Sequence, residues 1–123
     1  MALFQLTELA EVDVRTGLAT PTGVSLSQGI YELAYHPLDG QWYGVRDAFG
    51  AVLVHVDLCT GLVTDIATLD DGGAPPPLTE GFTIDDAGQA WVTFSRQADT
   101  TSELLGELDL ATGAIRNLSL IHI

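Results

Sequence analysis

Apolar and polar residues alternate along several short segments of the chain, and no segment shows a sustained 3.6-residue period. Turn-forming sequences separate these segments, among them Asp39-Gly40, Thr60-Gly61 and the Asp-Asp-Gly-Gly sequence at residues 70–73. Alternation with a period of two is typical of β-strands, because successive side chains point to opposite faces of the sheet. In the middle of the chain the pattern predicts strands at residues 33–35, 42–46, 52–58 and 62–69.

Two sequence elements recur in the same order along the chain. The first, L-x-x-[VL]-D-[VL]-x-T-G, occupies residues 9–17, 53–61 and 105–113. The second runs from a glutamate through a glycine turn to an aromatic residue; it begins at Glu32 and returns at Glu80. A period of about 40–50 residues with four short strands is typical of repeat architectures. We therefore predict an all-β protein with ten strands, grouped as two, four and four, and essentially no helix.

The first element is predicted to form a hairpin turn. Its aspartate can accept hydrogen bonds from turn backbone N–H groups, and its glycine can adopt the positive φ that such turns require. Each copy uses the same residue types at the same places, which favours a structural role over a catalytic one. The positions concerned are Asp13, Asp57 and Asp109, with Gly17, Gly61 and Gly113.

Together, the two elements resemble the blades of bacterial YVTN-type and related β-propellers. The resemblance covers the end of one blade at residues 2–26, a full blade at residues 30–69 and a second full blade at residues 79–121. It implies a partial β-propeller built from four-stranded antiparallel blades. One departure is His36-Pro37, which stands where such blades often have Asp-Pro.

About two and a half blades cannot close a ring, because closed propellers use about four to eight. Three outcomes are open: association with copies of the chain, an open stack of blades, or a piece of a longer protein with the remaining blades elsewhere. Residues 118–123 match the translation of a transposase adaptor used in sequencing libraries, which favours a non-native tail on a truncated chain. The alternative is a native fourth strand with Leu118 and Leu120 on its buried face.

The charge balance limits the choice of partners. The chain has 4 basic and 17 acidic residues and a formal net charge of −13. Such a chain repels phosphates, so nucleic acid and anionic membranes are not expected partners. Two interpretations of the acidic surface stay open: it aids solubility, or it binds cations where carboxylates converge. The expected partners are other blades of a parent propeller or further copies of the chain.

The sequence gives little information about the cellular compartment of the protein. Cys59 is the only cysteine, so no intrachain disulfide can form. The first residues lack a basic segment and an unbroken apolar run, and no later run approaches the ~20 apolar residues of a membrane span. We expect a soluble chain without a signal peptide, in a compartment that the sequence does not identify.

Glu32 and Glu80 are the candidate metal ligands. Each begins the first strand of a blade, and the start of the second unit, Glu80-Gly81, resembles that of blades in metal-dependent lactonase-type propellers, where an acidic residue coordinates a divalent cation. The alternative, which we favour, is a glutamate that caps a loop or faces water. The sequence thus favours an interaction or ligand-binding scaffold without catalysis or cofactor. The rival hypothesis is a fragment of a metal-dependent lactonase-like hydrolase that holds a divalent cation.

Overall fold

The computed structural model describes residues 2–4, 7–47, 50–72, 78–96 and 99–121. These residues contain eleven β-strands and no helix, so the all-β prediction is confirmed. Within these ranges, therefore, no helix is long and apolar enough to cross a membrane. The strands are β1 (Ala2–Phe4), β2 (Glu8–Val12), β3 (Ala19–Ser25), β4 (Glu32–Tyr35), β5 (Trp42–Asp47), β6 (Ala51–Val56), β7 (Val63–Thr68), β8 (Leu78–Ile84), β9 (Ala90–Arg96), β10 (Asp99–Leu108) and β11 (Ile115–Ile121).

The strands form three antiparallel sheets in chain order. The first sheet contains β1 to β3, the second β4 to β7 and the third β8 to β11. Every strand pairs with the next strand of its own sheet, as expected for short hairpin connections. The first strands of the two four-stranded sheets, β4 and β8, lie against each other. This arrangement is consistent with a partial propeller-like fold of four-stranded antiparallel sheets.

The predicted grouping of ten strands as two, four and four is wrong by one strand. The first sheet has three strands, because Ala2–Phe4 pairs antiparallel with β2 and places Leu3 opposite Leu9. A three-residue strand gives too short a run for its alternation to be recognised in the sequence. The strand predicted at residues 52–58 ends earlier, at Val56, because Asp57 already belongs to the following turn.

The last sheet includes part of the segment that we predict to be non-native. β11 runs to Ile121 and pairs with β10, with Leu120 opposite Leu104. Residues 118–121 therefore continue a strand that begins at Ile115. Residues 122–123 lie outside the described part of the chain, and the origin of residues 118–123 stays a prediction.

Neighbouring sheets share their cores, and β6 contributes to both. Val52, Val54 and Val56 pack toward the first sheet, whereas Leu53 packs toward the third. A continuous apolar run of this kind is typical of a strand buried on both faces. The remaining buried members of the two clusters are Leu9, Leu26, Ile30 and Val63 on one side and Val45, Ala51, Leu69, Ala90, Val92, Phe94, Leu108 and Ile115 on the other.

Candidate functional site

The turn between β6 and β7 is closed by one aspartate and one glycine. Asp57 Oδ1 accepts hydrogen bonds from the N–H groups of Cys59 at 2.8 Å and Thr60 at 3.3 Å. The Asp57 N–H donates to the Leu62 carbonyl at 3.0 Å, and the Gly61 N–H donates to the Asp57 carbonyl at 2.8 Å. Gly61 has φ of 80°, in the left-handed region that favours glycine. The pKa of Asp57 is lowered by these backbone hydrogen bonds, most by the one from Cys59 and next by the one from Thr60.

The other two copies of the repeat form the same turn. Asp13 and Asp109 each accept, at Oδ1, a hydrogen bond of 2.8 Å from the N–H two residues further on. Gly17 and Gly113 donate to the carbonyls of these aspartates at 2.7 and 2.8 Å, with φ of 74° and 76°. All three carboxylates therefore bind backbone amides of their own turns, each between the last two strands of its sheet.

The glycine of the second turn also packs against the end of the first sheet. The Ser27 N–H donates to the Gly61 carbonyl at 2.8 Å, and the Val63 N–H donates to Ser27 Oγ at 2.9 Å. A Cβ atom on Gly61 would collide with the Ser25 carbonyl. The absence of a side chain at Gly61 is thus what allows the two backbones to approach.

The third turn makes the equivalent contact with the second sheet. The Asp70 N–H donates to the Gly113 carbonyl at 2.9 Å, and the Ile115 N–H donates to the Asp70 carbonyl at 2.7 Å. A Cβ atom on Gly113 would lie 2.7 Å from the Thr68 carbonyl. We call this arrangement the turn junction: the glycine turn of one sheet is hydrogen-bonded to the chain that leaves the last strand of the preceding sheet.

The structure gives the two candidate metal ligands different partners. Glu32 lies at the start of β4, where its Oε2 is buried and has no hydrogen-bond partner among the described residues. Burial raises the pKa of Glu32, and a hydrogen bond from the Thr79 hydroxyl partly opposes this. Glu80 is exposed at a bulge in β8 and shares a hydrogen bond with Glu103, which raises the pKa of Glu103.

The structure does not gather a cluster of metal ligands around Glu32 or Glu80 in the described chain. In the part of the chain that the structure describes, no group of three or more His, Cys, Asp or Glu side chains could hold a metal ion. Hard divalent cations take about six to eight oxygen ligands, some of them water. Two glutamates, one on β4 and one on β8, would supply only a small part of such a shell.

His36 accepts backbone hydrogen bonds within its own turn. Its Nδ1 accepts hydrogen bonds from the N–H groups of Leu38 and Asp39, both at 3.2 Å. In the equivalent turn of the third sheet, a carboxylate oxygen of Asp85 accepts the N–H of Ala87 at 2.9 Å. The histidine thus supplies the acceptor that an aspartate supplies in the other turn, which accounts for its departure from the Asp-Pro pattern.

An open cleft of about 560 Å³ lies beside His36, between the second and third sheets. Gly88 of the third sheet forms part of its wall, and a Cβ atom at Gly88 would lie 2.8 Å from the His36 ring. Arg116 also lines the cleft and forms an ion pair with Glu107 at 3.6 Å. His36, Glu107 and Arg116 at this cleft thus already have partners within the described part of the protein.

Comparison with known proteins gives no relative: no family model, curated protein or solved structure matches this chain.

The two glycines Gly61 and Gly17 provide a matched test of the turn junction. Gly61→Ala should destabilise the protein at least twice as much as Gly17→Ala. Both substitutions place alanine at positive φ, at a cost of roughly 1–2 kcal/mol. Only at Gly61 does the new Cβ also meet the backbone of another sheet, because Gly17 has no atom within 4 Å of its Cβ position among the described residues. Urea unfolding of both variants measures the difference, and equal losses would contradict the account.

Glu32→Gln should make the protein more stable at neutral pH. The native state of the wild type favours protonated Glu32, so its stability falls as the pH rises from the ordinary value of 4.5 through the raised pKa. The variant does not lose stability in this way. The difference in stability between the two proteins should therefore vanish when the pH is below the ordinary pKa of 4.5. Thermal unfolding from pH 4 to pH 8 tests this, with the exposed Glu11→Gln as control. A pH-independent difference would show that burial of the charge is not its cause.

Proposed function

We propose that this chain is a propeller-type interaction scaffold with no catalytic centre in the described segment. The observation that carries the proposal is the turn junction, which occurs twice: the glycine carbonyl, of Gly61 or of Gly113, accepts an N–H from the chain that leaves the preceding sheet. The repeated residues of the sequence serve this stacking of sheets. A chain whose most regular feature joins one sheet to the next is suited to binding other sheets of the same kind.

The disposition of the carboxylates supports a scaffold. Asp13, Asp57 and Asp109 lie in separate turns and accept backbone N–H groups, so they have no common centre at which to act on a substrate. Glu32 and Glu80 bond to Thr79 and Glu103. The alternative, a metal-dependent lactonase-like hydrolase, would need further ligands from outside the described residues.

Kinship with the YVTN-type and related propellers is part of the same proposal. It is supported by the meander order within each sheet and by the contact between the first strands β4 and β8. In propellers the blades are stacked around a central channel. The partners that this kinship implies are the other blades of a parent propeller or further copies of the chain.

Divalent-cation titration of the full chain distinguishes the scaffold from the hydrolase. We expect isothermal calorimetry with Ca²⁺, Mn²⁺ and Zn²⁺ to show no saturable 1:1 site with a Kd below about 1 mM. Weak binding that is the same in the wild type, Glu32→Gln, Glu80→Gln and the exposed control Glu11→Gln would reflect the net charge of −13 and agree with the scaffold. A saturable site that Glu32→Gln or Glu80→Gln abolishes and Glu11→Gln retains would overturn the proposal in favour of the hydrolase.

A further inference from the structure

His36 fills, in the second sheet, the turn position that Asp85 fills in the third. Its Nδ1 atom accepts the N–H groups of Leu38 and Asp39, whereas a carboxylate oxygen of Asp85 has this role in the other turn. An imidazole gains a proton between about pH 5 and pH 8. Asp85 stays ionised over that range, because several hydrogen bonds, most of all that from the Trp91 indole, lower its pKa. The turn of the second sheet is thus closed by a group that titrates near neutral pH, and that of the third sheet is not.

The hydrogen bonds of the turn fix the position of the proton on the neutral His36 ring. A neutral imidazole has one N–H group and one nitrogen lone pair. Because Nδ1 accepts two backbone N–H groups, it carries the lone pair, and the proton lies on Nε2. In the imidazolium ion both nitrogens are donors, so a proton on Nδ1 would face the N–H groups of Leu38 and Asp39. Protonation of His36 therefore removes both hydrogen bonds.

Asp39 offers the protonated ring a new partner. Its Oδ1 atom lies 3.4 Å from His36 Nδ1 and accepts the Gln41 N–H at 2.8 Å. Burial raises the pKa of Asp39, but hydrogen bonds from the Gln41 N–H and the Tyr43 hydroxyl outweigh this effect and lower the pKa overall. Asp39 is therefore a carboxylate throughout the range in which an imidazole titrates. The turn thus has two alternative arrangements, one for each protonation state of the ring.

Other titratable and charged groups also surround His36. The Tyr43 ring on β5 lies 6.0 Å from the His36 ring, and the His55 ring on β6 lies 6.0 Å from that of Tyr43. The third sheet contributes charged residues from the facing turn and from the wall of the cleft, namely Asp85, Asp86, Glu107, Asp109 and Arg116. Of all these groups in the described chain, the Asp39 carboxylate is the one within ion-pair distance of the His36 ring.

The His36 ring is also the point at which the two turns meet. A Cβ atom on Gly88 would lie 2.8 Å from Cε1 and 3.0 Å from Nε2 of the ring, and 3.2 Å from Leu38 Cδ1. The His36 side chain is only 14% exposed, and both His36 and Gly88 line the cleft between the second and third sheets. A rotation or shift of the ring therefore alters the contact between the two sheets.

We propose that His36 is a proton-controlled switch, whose protonation exchanges two backbone hydrogen bonds for an ion pair with Asp39 and loosens the contact with Gly88. Near pH 8 the turn has the arrangement seen in the structure. Toward pH 5 the N–H groups of Leu38 and Asp39 become accessible to water, and the wall of the cleft changes at His36. The pairing of β4 with β5 persists, because it involves backbone groups alone. This inference goes beyond the scaffold function, since it gives one contact between sheets a response to pH.

NMR of the full chain from pH 8 to pH 5 tests the switch in the wild type. The imidazole nitrogen signals of His36 should show a proton on Nε2 alone at pH 8. As the ring gains its second proton, the protection of the Leu38 and Asp39 amides against hydrogen exchange should fall at least about tenfold, after correction for the intrinsic effect of pH on exchange. The amide signal of Gly88 should shift with the same midpoint.

Three variants separate His36 from the other groups. His36→Asp and His36→Asn keep an oxygen acceptor that does not titrate in this range, so the Leu38 amide should stay protected and the Gly88 signal should stay in place. His55→Gln removes a neighbouring imidazole and should respond to pH like the wild type. Circular dichroism checks that each variant keeps its β-sheet, and either His36 variant suffices if the other unfolds.

Two kinds of result would overturn the switch. A His36 ring that stays neutral down to pH 5, or unchanged protection of the Leu38 and Asp39 amides once the ring is protonated, would contradict the exchange of hydrogen bonds. A Gly88 signal that moves with another midpoint, or that moves equally in His36→Asn, would contradict the link between His36 and the third sheet.

Discussion

The structure depends on the turn junction between neighbouring sheets. The chain that leaves the last strand of a sheet carries backbone N–H groups that the strand pairing of its own sheet no longer satisfies. The Ser27 and Asp70 N–H groups find these partners in the glycine carbonyls of the following sheet. Glycine is required there because a Cβ atom would meet the backbone of the preceding sheet. One short motif thus closes a hairpin and also joins two sheets.

The junction explains how the apolar residues of the core are arranged. Leu26 and Leu69 are buried because the hydrogen bonds beside them hold the chain against the next sheet. β6 is covered on both faces, since the first sheet packs against one and the third against the other. The repeat aspartates serve these turns and therefore lie apart from one another.

The strands and turns could be predicted from the local sequence, whereas the contacts between sheets could not. The Asp57 turn and the strand at residues 42–46 follow from alternation and turn residues that lie side by side in the sequence. The burial of Glu32 and the packing of His36 near Gly88 depend on which sheets become neighbours. No local sequence pattern indicates which sheets pack against each other. The three copies of the motif also look equivalent in sequence, so nothing in the first copy predicted that Gly17 would lack a neighbour in the described chain.

Hydrogen exchange of the Ser27 and Asp70 amide protons, followed by NMR, tests the central role of the turn junction most directly. We predict that both amides exchange at least about 100-fold more slowly than unstructured amides, together with those of the core strands. In Gly61→Ala the protection of Ser27 should fall, while that of Asp70, which bonds to Gly113, should persist. Rapid exchange of both amides in the wild type would contradict the account, because it would show that the sheets are held together by other contacts.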